Sequence, residues 1–368
     1  MEKLVTPIVD MLEKYVKEQN IRFHTPGHKG KGFKGVPSFL SEISMYDITE
    51  VPGTDDLRNP KGVILQAEEL LAKAYGAAKS FFIVNGSTCG NLAAIAAAFN
   101  REDTVIVDDR CHWSVANALD LVGATVIYIE DISVEKIYEA LKRPGYNGVK
   151  GVIITRPDYY GQCVDIEAIS NACRVLDLLL ITDEAHGAHL SFAKDGYPKS
   201  AVKYSDFTIQ SAHKTLGALN QSSFLHLNNR GVQYVELVRE KLNIFQTSSP
   251  SYPILASADY TRAYMVEHGA ELLNQLRVNT EWAAAEIEKT TAFKVRKGDE
   301  RTPDRLVVDT LFCGGVSGNK AEEFLRSKGI QVELSDESCV VCLCTVFDER
   351  KDFERLVEVL CEMEKSIV

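Results

Sequence analysis

The sequence predicts an α/β protein: a large domain on a mainly parallel, helix-covered sheet, followed by a small C-terminal α+β domain. Three observations carry that reading. Apolar runs of strand length alternate with helical patterns through the middle of the chain. Residues 257–290 are nearly free of Gly and Pro and rich in Ala, Glu, Leu and Arg. Beyond them the order of elements changes. A length of 368 residues suits two domains, and 45% hydrophobic with 25% charged residues excludes disordered, collagen-like and disulfide-scaffold classes.

Residues 1–20 alternate acidic, basic and apolar side chains at helical spacing, which predicts an amphipathic helix and no targeting segment. The block 22–60 is crowded with turn residues, in HTPGHKGKGFKGVP and TEVPGTDDLRNP, and predicts no long helix. From residue 63 the alternation begins: helix 63–75, strand 81–84, helix 91–99 and strand 104–107. Further strands are expected at 124–129, 151–155, 178–182, 207–210 and 223–227. Strands alternating with helices imply a parallel sheet covered on both faces. One or two long helices over 257–290 then lead into strand 305–309, helix 320–328, strands 331–334 and 339–346, and a last helix 352–365. The expected division is 1–60, an N-terminal helix and loop segment; 61–256, the large domain; and 257–368, linking helices with the small domain.

Charge and length narrow the function. With 41 basic and 52 acidic residues the net charge is −11, which argues against nucleic acid and anionic membrane partners. The most apolar stretch, 92–99, is far shorter than the roughly 20 residues that cross a bilayer. Nine cysteines without framework spacing fit reduced thiols and a cytoplasmic location.

Three constellations could carry chemistry. The strand FFIV runs into Asn85-Gly86-Ser87-Thr88-Cys89-Gly90-Asn91 and a helix, where exposed amides and hydroxyls suit a phosphate; the same residues also suit an ordinary helix cap. A buried-type strand ends in Asp183-Glu184-Ala185-His186-Gly187-Ala188-His189, which puts charge where parallel sheets gather ligands. The H-E-x-x-H order is absent, so no metal site is expected. The next strand delivers Ser211-Ala212-His213-Lys214, and a lysine there can form a Schiff base with a carbonyl. A phosphate cradle, an acid and a lysine are the parts that pyridoxal 5′-phosphate requires.

These motifs, in order, resemble the Orn/Lys/Arg decarboxylase family of pyridoxal-phosphate enzymes. The resemblance runs from His24-Thr25-Pro26-Gly27-His28 through Asp47-Ile48-Thr49-Glu50, Gly53-Thr54-Asp55-Asp56-Leu57, Asn85-Gly86-Ser87-Thr88, Cys111-His112 and Tyr159-Tyr160-Gly161. It continues through residues 183–189, 210–215 and 246–252. It implies an aspartate aminotransferase-like large domain, PLP fold type I. It also implies that Lys214 bonds the cofactor and that Asp183 faces the pyridine nitrogen. His112 would stack on one ring face and Ala185 pack against the other, with His186 near the phenolic oxygen. Ser87, Thr88, Ser211 and His213 would hold the phosphate. Thr247 and Ser248 lie in the segment that resembles the one reaching a neighbour's cofactor, which implies a homodimer with shared sites. The implied reaction is decarboxylation of lysine, ornithine or arginine to the amine and CO2. Transamination, racemisation, another lyase reaction or a non-catalytic role are the alternatives.

Departures are visible as well. The chain is expected to be a short member, without the further C-terminal region of typical relatives. Arg156 and Asp158 in Thr155-Arg156-Pro157-Asp158-Tyr159-Tyr160-Gly161, and Trp113 after the stacking histidine, differ from common family residues. The new arginine and acid could alter what is bound or form a surface ion pair. Cys339 and Cys342 form a C-x-x-C in a strand, which reads as core packing, because residues three apart face opposite sides. The run His28-Lys29-Gly30-Lys31-Gly32 could bind an anion or be a flexible basic loop, and Tyr159 and Tyr160 read as pocket lining.

Overall fold

Pro7 opens the first helix with the φ that helices need, and Gly76 closes the third at a left-handed φ of 68°. The computed structural model describes residues 4–31, 35, 37–142, 148–298 and 300–367; Gly32 of the basic run lies outside them. The chain divides into two compact units. One comprises the chain up to Arg156 with Val164–Ser191 and Lys199–Glu267, and the other Pro157–Cys163, Phe192–Pro198 and the chain from His268 onward.

The first unit begins with α1 (Pro7–Lys17), α2 (Ser38–Tyr46), α3 (Val63–Tyr75), β1 (Lys79–Ile83) and α4 (Gly86–Ala98). It continues through β2 (Thr104–Asp108), α5 (Trp113–Val122), β3 (Thr125–Ile129), α6 (Val134–Leu141), β4 (Val149–Thr155), α7 (Ile166–Val175) and β5 (Leu179–Asp183). Next come β6 (Phe207–Ser211), the single turn α8 (Ala212–Thr215), β7 (Ser223–Leu227), α9 (Val235–Phe245) and the start of α10 (Tyr252–Thr290). The expected helix 91–99 begins earlier, because Gly86, at φ 74°, turns the chain straight from β1 into α4. The loop block 22–60 contains the short α2, none of whose residues is buried.

Seven strands pair in the order β1-β7-β6-β5-β4-β2-β3. β7 runs antiparallel to both neighbours and the other pairings are parallel. Six carboxyl ends therefore share one edge of the sheet, and β7 begins there. Strand alternation sends Phe81, Val107, Ile181 and Ile209 to one face under α4, α5 and α9, and Ile106, Val152 and Leu180 to the other under α6 and α7. Each fully buried side chain of this kind contributes about 1.5–3 kcal/mol. Gly90 lets α4 lie close to the sheet: an added Cβ would come within 2.8 Å of Ile209 Cγ2.

In the second unit, β8 (Lys294–Val295), β9 (Arg305–Asp309), β10 (Leu334–Ser335) and β11 (Cys339–Leu343) form an antiparallel sheet in the order β10-β11-β9-β8, with α11 (Gly318–Ser327) and α12 (Arg350–Ile367). The segment 331–334, expected as a strand, pairs only at Leu334 and Ser335. Val307, Cys339 and Val341 form one core cluster. Residues 157–163 are tied into this unit by Thr302 N–H to Gly161 O at 2.9 Å and Cys163 N–H to Glu300 O at 2.7 Å.

Candidate active site

At the carboxyl end of β1 the chain makes an open cradle. Among the described residues, nothing lies within 4 Å of a Cβ added at Gly86, and no side chain caps the first turn of α4. Gly86 N–H donates to Gln221 O at 2.8 Å, and the N–H groups that follow it keep the partial positive charge that draws anions. Asn85, the residue before the helix, instead accepts a hydrogen bond from Thr247 N–H at 3.0 Å, and Gln246 Oε1 accepts from Val84 N–H at 2.8 Å. Ser211 Oγ donates to Ser87 Oγ at 2.9 Å, which joins the ends of β6 and β1. Thr88 stands in the first turn of α4, and Ser248 is exposed beside Thr247. His213 places Nδ1 2.8 Å from Ser222 O, and burial, followed by the Lys214 charge, pushes its imidazole below the ordinary value against the pull of that carbonyl.

Asp183 closes β5 and is buried. Its Oδ1 accepts from Ala185 N–H at 3.1 Å and its Oδ2 from Asn91 Nδ2 at 2.8 Å. The backbone locks this turn to β6 through Glu184 N–H to Ile209 O at 2.8 Å and Ser211 N–H to Ala185 O at 3.3 Å. Lys214, in α8, holds Nζ 3.0 Å from His186 Nε2. Across the edge, His112 is the N-cap of α5, its Nδ1 accepting from Ser114 N–H at 3.2 Å and standing 2.8 Å from Ser114 Oγ. Burial pushes the His112 imidazole below its ordinary value; Lys214 acts the same way and Asp183 against it.

The edge thus gathers an uncapped helix start, a buried acid, a lysine with a histidine partner and a second histidine. That set fits a molecule carrying a phosphate, a ring nitrogen and an aldehyde. Among the described residues two donors reach Asp183, whereas a carboxylate can accept about four hydrogen bonds.

Arg156 is not part of a surface ion pair. It is 1% exposed, and its Nη1 donates to the fully buried Glu184 at 3.0 Å and to Lys199 O at 2.6 Å. Asp158 accepts from Tyr160 N–H and Gln162 N–H at 3.0 and 2.8 Å, holding the turn. Tyr160 donates to Asp336 Oδ2 at 2.8 Å, and that bond with burial raises the phenol to about 12. His28 lies 3.0 Å from Asp47 Oδ2, and Lys29 donates to His24 O at 2.6 Å, so this part of the basic run is engaged within the chain. Among the described residues no cluster of three or more His, Cys, Asp or Glu could hold a metal.

Two participants escaped the sequence reading: Asn91, between Asp183 and Ser114, and Ser114 itself. The available signal was a polar residue inside the apolar helix 91–99, because a buried amide needs partners.

The model of the Orn/Lys/Arg decarboxylase major domain matches residues 6–298. The chain belongs to the Orn/Lys/Arg decarboxylase family. This is a family of decarboxylases, carbon–carbon lyases. The family member described here is 35% identical to the uncharacterized protein YaaO of Bacillus subtilis (strain 168), over 94% of this chain and 75% of that one. It is 31% identical to the arginine decarboxylase of the same organism, over 100% of this chain and 79% of that one. Lysine decarboxylase A from Pseudomonas aeruginosa superposes with a TM-score of 0.86 at 22% identity, over 98% of this chain, which spans 60% of that longer protein. The ureidoglycine-glyoxylate aminotransferase of Bacillus subtilis superposes at 0.69 with 17% identity, covering 90% of each chain. The large unit therefore has the aspartate aminotransferase-like fold.

Proposed function

We propose that this chain is a pyridoxal-phosphate-dependent decarboxylase of a basic amino acid, releasing CO2 and the corresponding amine. The observation that carries the reading is the convergence of Lys214, Asp183, His112 and the uncapped start of α4 on one edge of the sheet. Ser87, Thr88, Ser211 and His213 would hold the phosphate, Asp183 the ring nitrogen, His112 and Ala185 the two ring faces, and Lys214 the aldehyde carbon. When bound, the cofactor supplies an electron sink for the carbon that loses its carboxylate.

The chain's own groups do the rest. Lys214 Nζ has His186 Nε2 at 3.0 Å, so a proton moves between them without passing through solvent. The two N–H donors on Asp183 fix the plane in which it meets a ring nitrogen. Burial of Asp183 and Ala185 keeps water from that side. Thr247 and Ser248, beside the cradle, would also face the partner's site in a homodimer, and exposed Phe39, Leu40 and Ile43 on α2 supply apolar surface for subunit contact. The reading places the enzyme in the cytoplasm.

The test is release of CO2 and amine by the purified, cofactor-loaded protein offered arginine, lysine, ornithine and a wider amino-acid panel. Arginine comes first, because relatives 31% and 30% identical over 100% and 99% of this chain are named for it. Release from one basic amino acid supports the reading. Bound cofactor without release from any would replace it with another reaction on the same fold.

A further inference from the structure

Asn91 is 1% exposed and sits in α4, the helix whose start forms the cradle. Its Nδ2 lies 2.8 Å from Asp183 Oδ2 and 2.9 Å from Ser114 Oγ. An amide nitrogen has two protons and no lone pair to offer, so both neighbours accept, and a flipped amide would set oxygen against carboxylate. Ser114 Oγ, having accepted from Asn91, gives its own proton to the nearby His112 Nδ1, 2.8 Å away. The same Nδ1 accepts from Ser114 N–H at 3.2 Å as the cap of α5. Two donors aimed at one ring nitrogen leave it unprotonated, so the imidazole carries its proton on Nε2.

Asn91 Oδ1 is meanwhile buried without a hydrogen-bond partner among the described residues. An orphaned buried carbonyl destabilises the fold, and the arrangement that leaves it so is the one that spends both amide protons on Asp183 and Ser114.

We propose that Asn91 is a positioning residue that orients both walls of the cofactor site, holding Asp183 directly and fixing His112 as its Nε2–H tautomer through Ser114. The inference rests on the cofactor reading above for its catalytic consequence; the tautomer itself does not. One amide thus sets the group meant for the ring nitrogen and the ring meant to stack beside it, from the helix meant to hold the phosphate.

The experiment is nitrogen NMR of the full-length chain labelled with 15N-histidine, with and without pyridoxal phosphate, His112 being assigned by its loss in His112→Gln. The native protein is expected to show a neutral His112 with Nδ1 unprotonated. Ser114→Ala removes the hydroxyl but keeps the backbone cap, and Asn91→Leu removes both amide protons. In each, the His112 nitrogen shifts move toward a mixture of tautomers. In the loaded enzyme both variants lose about tenfold in kcat with KM nearly unchanged. A native His112 protonated at Nδ1, or shifts identical in the native protein and Ser114→Ala, would overturn the proposal. If Asn91→Leu fails to fold, the smaller Asn91→Ala tests the amide in its place and Ser114→Ala tests the relay to His112. Failure of the native chain to bind pyridoxal phosphate would remove the cofactor reading and leave the tautomer assignment to be read in the unloaded protein.

Discussion

Two adjacent acids at the end of β5 live in opposite surroundings. Glu184 is fully buried and accepts from Arg156, Ser200 Oγ at 2.9 Å, Ala201 N–H at 2.8 Å and Gln210 Nε2 at 2.7 Å. Gln210 Oε1 in turn meets His226 Nε2 at 3.1 Å, and Ser80 Oγ meets His226 Nδ1 at 2.7 Å, so the network crosses from β4 to β1 beneath the edge. Asp183, one residue earlier, receives two donors. A saturated carboxylate welds strands together, whereas Asp183, which takes two hydrogen bonds among the described residues at the sheet's carboxyl edge, is the acid proposed to meet the ring nitrogen. Burial still pushes the Glu184 carboxyl above its ordinary range, against the pull of Arg156 and the other donors.

Mutations should separate the two regions. On the Asp183 side, Lys214→Ala should cut turnover by about 10³-fold or more and remove the visible absorbance of lysine-bound cofactor, while denaturant unfolding changes little. Turnover that survives would sink the proposed chemistry. On the Glu184 side, Arg156→Met leaves a buried acid without its cation and should lower stability by about 3–5 kcal/mol in urea unfolding. An Arg156→Met protein as stable as the native one but inactive would reverse the comparison and give Glu184 the functional role. Asp183→Ala should cost about 10²-fold in kcat/KM and weaken cofactor binding, with a smaller stability loss than Arg156→Met.

A pH effect sharpens the contrast. Burial pushes the His226 imidazole from its ordinary 6.5 down to about 3. The folded state therefore keeps this histidine neutral while the unfolded chain takes up a proton. Its stabilising contribution is complete above 6.5 and is lost as pH falls, by about 1.4 kcal/mol per pH unit. Unfolding measured from pH 7.5 down to 5.5 should lose about 1.4 kcal/mol in total, most of it below 6.5, and His226→Gln should remove that loss; an unchanged loss would locate the titration elsewhere. The smallest effect belongs to Cys342→Ser in β11, where burial raises the thiol to about 12. Activity within about twofold of native is expected, and a metal lost from the serine variant on elemental analysis would contradict the packing role.

Much of the sheet was legible because its strands are uniformly apolar and bounded by turns, and the helix expected over 63–75 has those limits as α3. The start of α4 was not, because Gly86 and Gly90 read as breakers until Gly90 is seen pressed against Ile209. The candidate site divides likewise. Lys214, Asp183 and His112 were candidates from their places after apolar runs and from the family resemblance, although Glu184 in the same run is taken up by structural partners. The roles of Asn91 and Arg156 were not legible, because their partners are 92 and 28 residues away, and only the fold brings those acids to them.

The threading of the second unit limits how this protein can be cut. Tyr160 and Tyr197 belong to it, bonded to Asp336 and to Leu273 O, yet both are encoded far ahead of His268. A two-piece split at residue 268 would strand those tyrosines on the wrong fragment. Recombination that exchanged this unit between relatives would need several crossovers, two of them bracketing the coding sequence for Asp183. The two units therefore cannot be exchanged by a single crossover.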